Sequence, residues 1–286
     1  MLRGAGVPVP QHVVVGVDEH VASTRAIDWV IGRSLPPGSR VDVVTVADGQ
    51  SADALADRVR VEAAASRMRD RSGVAVEAVV RQGARDRALV EAAADADLLV
   101  IGNRRQHRQR TAVDGWMPQR VTTIADLPVV VVPEEWEPVD GDVLLGVDSA
   151  TGDAALRFAA EEALRTRRRL AALRAWEVPV ATVTGALSVL EDPQLHEDHN
   201  RAVLADSERL LHVRWPGLRH HPLLEEGDPV SRLLAHAPSA SVVVVGRRHR
   251  TTVGGVFTGS TAHALLAQGR APVAVVPQRR RDPAAR

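Results

Sequence analysis

The sequence predicts an α/β protein built from two doubly wound, five-stranded, parallel-sheet domains. Three observations carry this. Short valine-rich runs alternate strictly with Ala/Leu/Arg-rich segments, which is the signature of strand, crossover helix, strand. The alternation is written twice: VVVGVD at 13–18 returns as VLLGVD at 143–148, LLVIG at 98–102 as VVVVG at 242–246, and PVVVVP at 128–133 as PVAVVP at 272–277. Between the copies lies a short Pro- and acid-rich stretch, PEEWEPVDG at 133–141. The boundary falls there, with domains at 1–138 and 139–286.

In the first copy the strand runs are 12–17, 41–46, 74–80, 97–101 and 129–132; in the second they are 142–147, 170–175, 219–224, 241–245 and 273–276. Continuous β-branched runs of this length suit strands buried on both faces. Helical spacing fills the gaps at 26–34, 54–70 and 85–94, and again at 154–165, 202–212 and 230–237. Right-handed crossovers leave few topologies for such a series. The fifth strands are strongly apolar edge candidates that need a partner. Pairing them with each other would give a pseudo-twofold unit. The first repeat is offset by 130 residues and the other two by 144, so the second copy carries 14 extra residues, placed within about 179–200 as a loop with one short helix. His196 and His199 in that loop could be read as metal ligands, but a solvated polar loop is the favoured reading and no metal is expected.

Composition removes several function classes. All 36 basic residues are arginine and balance 36 acidic ones, so the chain has no net charge to attract nucleic acid. Without lysine there is no P-loop or Schiff-base chemistry, and without cysteine no disulfide, thiolate zinc site or thiol nucleophile. No apolar run approaches a membrane span and the first residues lack a signal-peptide core, so a cytoplasmic protein with no membrane partner is expected.

In open parallel sheets ligands bind beyond the carboxyl ends of the strands, where strand order reverses. Two signals converge there. The first strands end in Gly16-Val17-Asp18 and Gly146-Val147-Asp148, and the fourth end in Gly102 and Gly246. After Gly246 the second copy reads RRHRTTVGGVFTGSTAHALLAQGRAP, in which Arg247 and His249 bring charge and Gly254, Gly255 and Gly259 bring freedom to wrap a phosphate chain. Ser260 and Thr261 then open a helix whose unpaired amides suit an anion. The spacing Gly, two residues, a third position, nine residues, Gly-Ser resembles the nucleotide motif of the universal stress protein family, and the resemblance covers nearly the whole chain. His249 stands where that motif has its second glycine.

The resemblance implies a nucleotide-binding α-hydrolase-like fold and a stress-response module that binds ATP, with Mg²⁺ accompanying it, usually dimeric through its last strand. It places Asp148 against the nucleotide and Ala175 near the adenine. The expected cofactor-binding set is therefore Gly146, Val147, Asp148, Ala175, Gly246, Arg247, His249, Gly259, Ser260 and Thr261, with no catalytic residue and slow or negligible hydrolysis. A homodimer or an intrachain equivalent is expected, with a protein partner in addition to ATP.

The first copy departs further from the motif. Arg105 replaces the middle glycine, Trp116 replaces the Ser or Thr, Pro118 follows, and Glu19 adds a carboxylate beside Asp18. Its site is expected to be degenerate. Two alternatives stay open. In one, both sites are vestigial, Asp18 and Asp148 merely cap helices, and the Arg-rich loop at 104–110 engages a partner. In the other, Ser260 or His249 supports weak nucleotide hydrolysis, with His263 three residues beyond Ser260.

Overall fold

The protein is described by a computed structural model covering residues 9–47, 54–104, 116–149, 151–178, 180–183, 186–189, 192–247, 250–252, 255–257 and 260–278. The first half runs β1 (His12–Gly16), α1 (Val21–Gly32), β2 (Arg40–Ala47), α2 (Ala54–Ser72), β3 (Ala75–Gln82), α3 (Arg85–Ala92), β4 (Leu98–Asn103), α4 (Met117–Ile124) and β5 (Val129–Pro133). The second runs β6 (Val143–Gly146), α5 (Asp153–Thr166), β7 (Leu170–Trp176), β8 (Val180–Val183), β9 (Ala186–Val189), α6 (Pro193–Arg214), β10 (His220–Glu226), α7 (Pro229–His236), β11 (Val242–Arg247), β12 (Arg250–Thr252), β13 (Gly255–Phe257), α8 (Ser260–Gln268) and β14 (Val273–Pro277).

All ten runs read as strands are strands, and they join one sheet in the order β10-β7-β6-β11-β14-β5-β4-β1-β2-β3. Each half keeps the order third, second, first, fourth, fifth, so the first and fourth strands are neighbours and strand order reverses between them. Every pairing is parallel except β5 with β14, where Val131, Val130 and Val129 oppose Val273, Ala274 and Val275 antiparallel. The last-strand pairing that the sequence suggested is thus made within one chain, and the sheet's outer edges are β3 and β10.

Helices cover both faces, which explains why the central strands β1, β4, β5, β6, β11 and β14 read as near-continuous apolar runs rather than alternating ones. Val13 and Val15 face a cluster with Ala26, Val30 and Met68 of α1 and α2, and with Ala159 and Leu211 of α5 and α6. Val14 between them faces the other cluster, with Leu89, Val121, Leu233 and Leu265 of α3, α4, α7 and α8. Each core crosses from one half to the other without a break.

Three elements differ from the sequence expectation. The 14 extra residues include an antiparallel hairpin, β8 with β9, and α6 starts at Pro193, so His196 and His199 lie in its first turns and not in a loop. The His196 ring packs 5.7 Å from that of Trp176. α1 begins at Val21, five residues before the expected Ala26. The helix expected to start at Trp116 is α4, although Met-Pro-Gln-Arg-Val-Thr-Thr-Ile is poor in strong helix formers; Pro118 lies in its first turn, where proline's missing N–H costs nothing.

Buried polar groups clasp the seam on both faces. On one, Arg33 at the end of α1 donates to Glu162 of α5 through Nε at 2.9 Å and Nη2 at 2.6 Å, with both side chains at most 3 % exposed. Arg165 lies 3.6 Å from the same carboxylate, and the Arg33 guanidinium stands 5.1 Å over the Trp29 ring. Burial would raise the Glu162 carboxyl, but the two guanidinium groups outweigh it and hold it below the ordinary range. On the other face, Arg247 at the end of β11 donates through Nη1 to the carbonyls of Thr122, Thr123 and Ala125 at the carboxyl end of α4. Its counterpart 144 residues earlier, Asn103 at the end of β4, donates to the Leu266 carbonyl of α8 at 3.0 Å. Each half therefore caps a helix of the other.

Replacing Glu162 with alanine strands two buried guanidinium groups and should cost about 3–5 kcal/mol, whereas replacing Arg33, Glu162 and Arg165 together by apolar residues of similar volume should recover most of that loss. Denaturant unfolding of both variants measures the difference. Because the folded carboxyl titrates below the unfolded one, its contribution is complete above the unfolded value and disappears as pH falls through the folded value. Stability of the wild type should therefore drop on acidification more steeply than that of the triple variant.

Candidate functional site

The carboxyl ends of β6 and β11 form the candidate site of the second half. Gly146 faces Leu233 of α7 and Val245, on the side of the sheet that carries α7 and α8. Val147 points the opposite way into the other core, so strand alternation brings Asp148 to the Gly146 side. Ala175 at the end of β7 is on that side too and is buried. A local turn fixes the Asp148 carboxylate: the Thr151 hydroxyl donates to Oδ1 at 3.1 Å and accepts from the Asp148 amide at 2.6 Å. The first half uses the same device at Asp18, with the Ser23 hydroxyl 2.7 Å from its Oδ1. Neither acid caps the following helix: the residues at those starts are His20 and Gly152, and neither makes a side-chain cap.

The segment after Gly246 is more ordered than a wrapping glycine loop. Its middle pairs as a short antiparallel hairpin, Arg250 opposite Phe257 and Thr252 opposite Gly255, before α8 starts at Ser260. Thr261 lies in the first turn of that helix, partly buried. His249, Gly254 and Gly259 lie outside the described residues, as do Arg105, Gly115 and the rest of 105–115.

Arg247 leaves the expected set. It is 4 % exposed, and its guanidinium is committed to the end of α4 and placed 3.9 Å from Asp126. Direction accounts for this: β11 lies beside β14 at the join, and from its end the Arg247 side chain reaches across to the carbonyls at the negative end of the α4 dipole. His263 is likewise turned away from Ser260 chemistry, its ring meeting Trp116 edge-on across the seam at 6.0 Å.

Two residues that the sequence reading did not single out complete the neighbourhood. Arg174, beside Ala175, donates to the Val147 carbonyl at 3.3 Å and to Asn200 at 2.8 Å, and Asn200 is buried in α6. They brace the end of β6 from the opposite face. A charged residue inside an otherwise apolar strand was the available signal.

The two halves differ most over the glycine that ends the fourth strand. A Cβ built on Gly102 would lie 2.5 Å from the Ala22 carbonyl carbon, because α1 begins directly on top of it. Among the described residues, the same atom on Gly246 would meet Ala155 Cβ at an ordinary 3.8 Å. In the first half, Asp18, Glu19 and His20 bring their ligand atoms within 4.8 Å of one another. His20 pairs with Glu19 at 3.0 Å, and Arg104 also bonds to its Nε2. The first residue of the Arg-rich loop is therefore folded back onto this cluster. The first site is close-packed by its own chain, while the described residues around the glycine of the second stand at ordinary contact distance.

The fold and this strand-end geometry define a tandem of two α/β units of one kind, and comparison with known proteins agrees. The universal stress protein family model matches residues 10–133 and again 141–277. The chain belongs to the universal stress protein family. A universal stress protein of Mycolicibacterium smegmatis is 26 % identical over 287 residues, covering 92 % of this chain and 96 % of that one. One from Mycobacterium tuberculosis is 32 % identical over 202 residues, which is 65 % of this chain and 60 % of the relative's length. Among solved structures, a universal stress protein from Archaeoglobus fulgidus superposes with a TM-score of 0.67 at 16 % identity, over 94 % of this chain and 98 % of that one. No helix among the described residues is long and apolar enough to cross a membrane.

The packing difference is directly measurable. Gly102→Ala drives a methyl into backbone and should destabilise the chain by about 1–3 kcal/mol. Gly246→Ala meets ordinary contacts and should change stability by less than about 0.5 kcal/mol. Urea unfolding midpoints of the two variants check this.

Proposed function

We propose that the protein is a cytoplasmic stress-response binding protein that takes up one ATP, with Mg²⁺ on its phosphates, in its C-terminal half. Gly146, Val147, Asp148 and Ala175 would receive the adenosine. The segment from Gly246 through His249 to Gly259, with the amides and hydroxyls of Ser260 and Thr261 at the start of α8, would receive the triphosphate. The observation that supports this reading is the contrast over the fourth-strand glycine: among the described residues a Cβ on Gly246 meets Ala155 at an ordinary distance, next to the better-kept motif, whereas one on Gly102 runs into the Ala22 backbone. Membership of the family and the Gly-Ser ending of the loop support it.

The chain's own groups would act by binding and orientation. Thr151 holds the Asp148 carboxylate toward a hydroxyl or amino donor on the ligand. The amino end of α8 has no acidic residue in its first turn, so its dipole is left for an anion. What bound ATP supplies is charge and a shape to be sensed; the chain, lacking lysine, offers no cation of that kind to the γ-phosphate. Phosphate release should therefore stay at blank level.

Calorimetric titration of the full chain with Mg-ATP should show one site per chain. Asp148→Ala, by removing a charge-assisted hydrogen bond, should weaken it about tenfold or more, and Asp18→Ala should leave it unchanged. No heat and no shift of the unfolding midpoint at millimolar Mg-ATP would refute the reading. An effect of Asp18→Ala matching that of Asp148→Ala would move the site to the wrong half.

A further inference from the structure

We propose that Asn103 and Trp116 of the N-terminal half are positioning residues for the nucleotide site of the C-terminal half. The proposal rests on the reading of that site given above and adds how its phosphate-binding helix is held.

Both residues stand where the first half would need its own phosphate-binding groups. Asn103 follows the glycine of the fourth strand, and Trp116 occupies the position of the motif's Ser or Thr. Neither faces an anion. The Trp116 indole N–H donates to Asn103 Oδ1 at 3.2 Å, and the Asn103 amide nitrogen donates to the Leu266 carbonyl of α8 at 3.0 Å. Asn103 is 2 % exposed, and the two bonds use its oxygen and its nitrogen in opposite senses. Flipping the amide would break both, so the indole sets which end of the amide meets α8. The Trp116 ring then meets His263 of the same helix at 6.0 Å and 73°. A buried network of this kind specifies one arrangement where apolar contact alone would tolerate sliding.

The held positions, His263 and Leu266, are both within two turns of Ser260 on a helix of nine residues. A helix this short moves as one piece, so a grip there sets where its amino end lies. The link is also closed from the other direction. Arg247, next to Gly246 at the base of the second phosphate loop, grips the carboxyl end of α4, and Trp116 is the cap residue at the amino end of that same helix. Loop base, α4, Trp116, Asn103 and α8 form one continuous series of contacts around the seam. The residues that deprive the first half of a site thereby serve the second.

The test is calorimetric titration of the full chain with Mg-ATP and, separately, with adenosine, for the wild type, Trp116→Ala, Trp116→Phe and Asn103→Ala, with thermal unfolding of each. Trp116→Ala and Asn103→Ala should weaken ATP roughly 3- to 10-fold, the range exerted by residues that touch a ligand only through packing. Adenosine, held by the ends of β6 and β7, should stay within about twofold. Trp116→Phe keeps a ring against His263 but loses the N–H, and should fall between wild type and Trp116→Ala. If Trp116→Ala does not fold, Trp116→Phe and Asn103→Ala decide the matter. Variants that bind ATP like the wild type overturn the proposal, as do variants that lose ATP and adenosine in parallel, which would mean general loosening. A wild type that binds neither ligand overturns the site reading itself, an outcome distinct from both.

Discussion

The antiparallel contact between β5 and β14 is the constraint on which the rest of the structure depends. Each strand is the apolar last member of a five-stranded sheet, and each would be an exposed edge if the halves parted. Their pairing turns two sheets into one and lets two cores run uninterrupted across the join. Hydrophobic burial supplies most of the driving force but little direction, since valine packed on valine tolerates sliding. Direction comes from the polar groups set at either side: Arg33 with Glu162 on one face, Arg247 and Asn103 on helix ends on the other. Each is buried, so any displacement would leave a charge or a carbonyl without its partner.

The same contacts account for the unequal fates of the two strand-end sites. α1 presses on Gly102, and the acids and histidine behind it are tied to one another and to Arg104. Trp116 is drawn toward the seam. In the second half the described residues meet the equivalent glycine at ordinary distance, and Thr151 orients Asp148. The groups at the strand ends of the first half are thus engaged by their own half and, through Trp116 and Asn103, by the seam.

Much of the fold was legible in the sequence because burial on both faces leaves a plain mark. The ten runs read as strands are ten strands, and the offset repeats revealed the second half before any geometry was known. What escaped was decided by contacts distant in sequence. α6 reaches back to Pro193 from spacing that began at 202, with Asn200 bonded to Arg174 of β7. The β8–β9 hairpin left no alternating pattern clear enough to separate it from a loop. At the site, Gly146, Asp148 and Ala175 fell on one face as the strand period requires. Arg247 was misjudged: spacing alone makes a cation beside a phosphate loop look like a ligand group, while the open carbonyls at the end of α4 draw it into the seam. Arg174 and Asn200 were missed because the bracing residue lies on the opposite face from the ligand.

Joining the halves in one polypeptide has a chemical consequence at Arg33. A pair assembled from identical subunits must place the same residue on both sides of its axis, so a guanidinium brought to the join arrives twice. Two N-terminal halves joined through β5 in this manner would bring two Arg33 side chains and no Glu162 to receive them. The covalent tandem escapes that restriction, because its sides are encoded separately and can carry opposite charge. The buried ion pair thereby acts as a marker of self against other, rewarding the mixed pairing and penalising the like one.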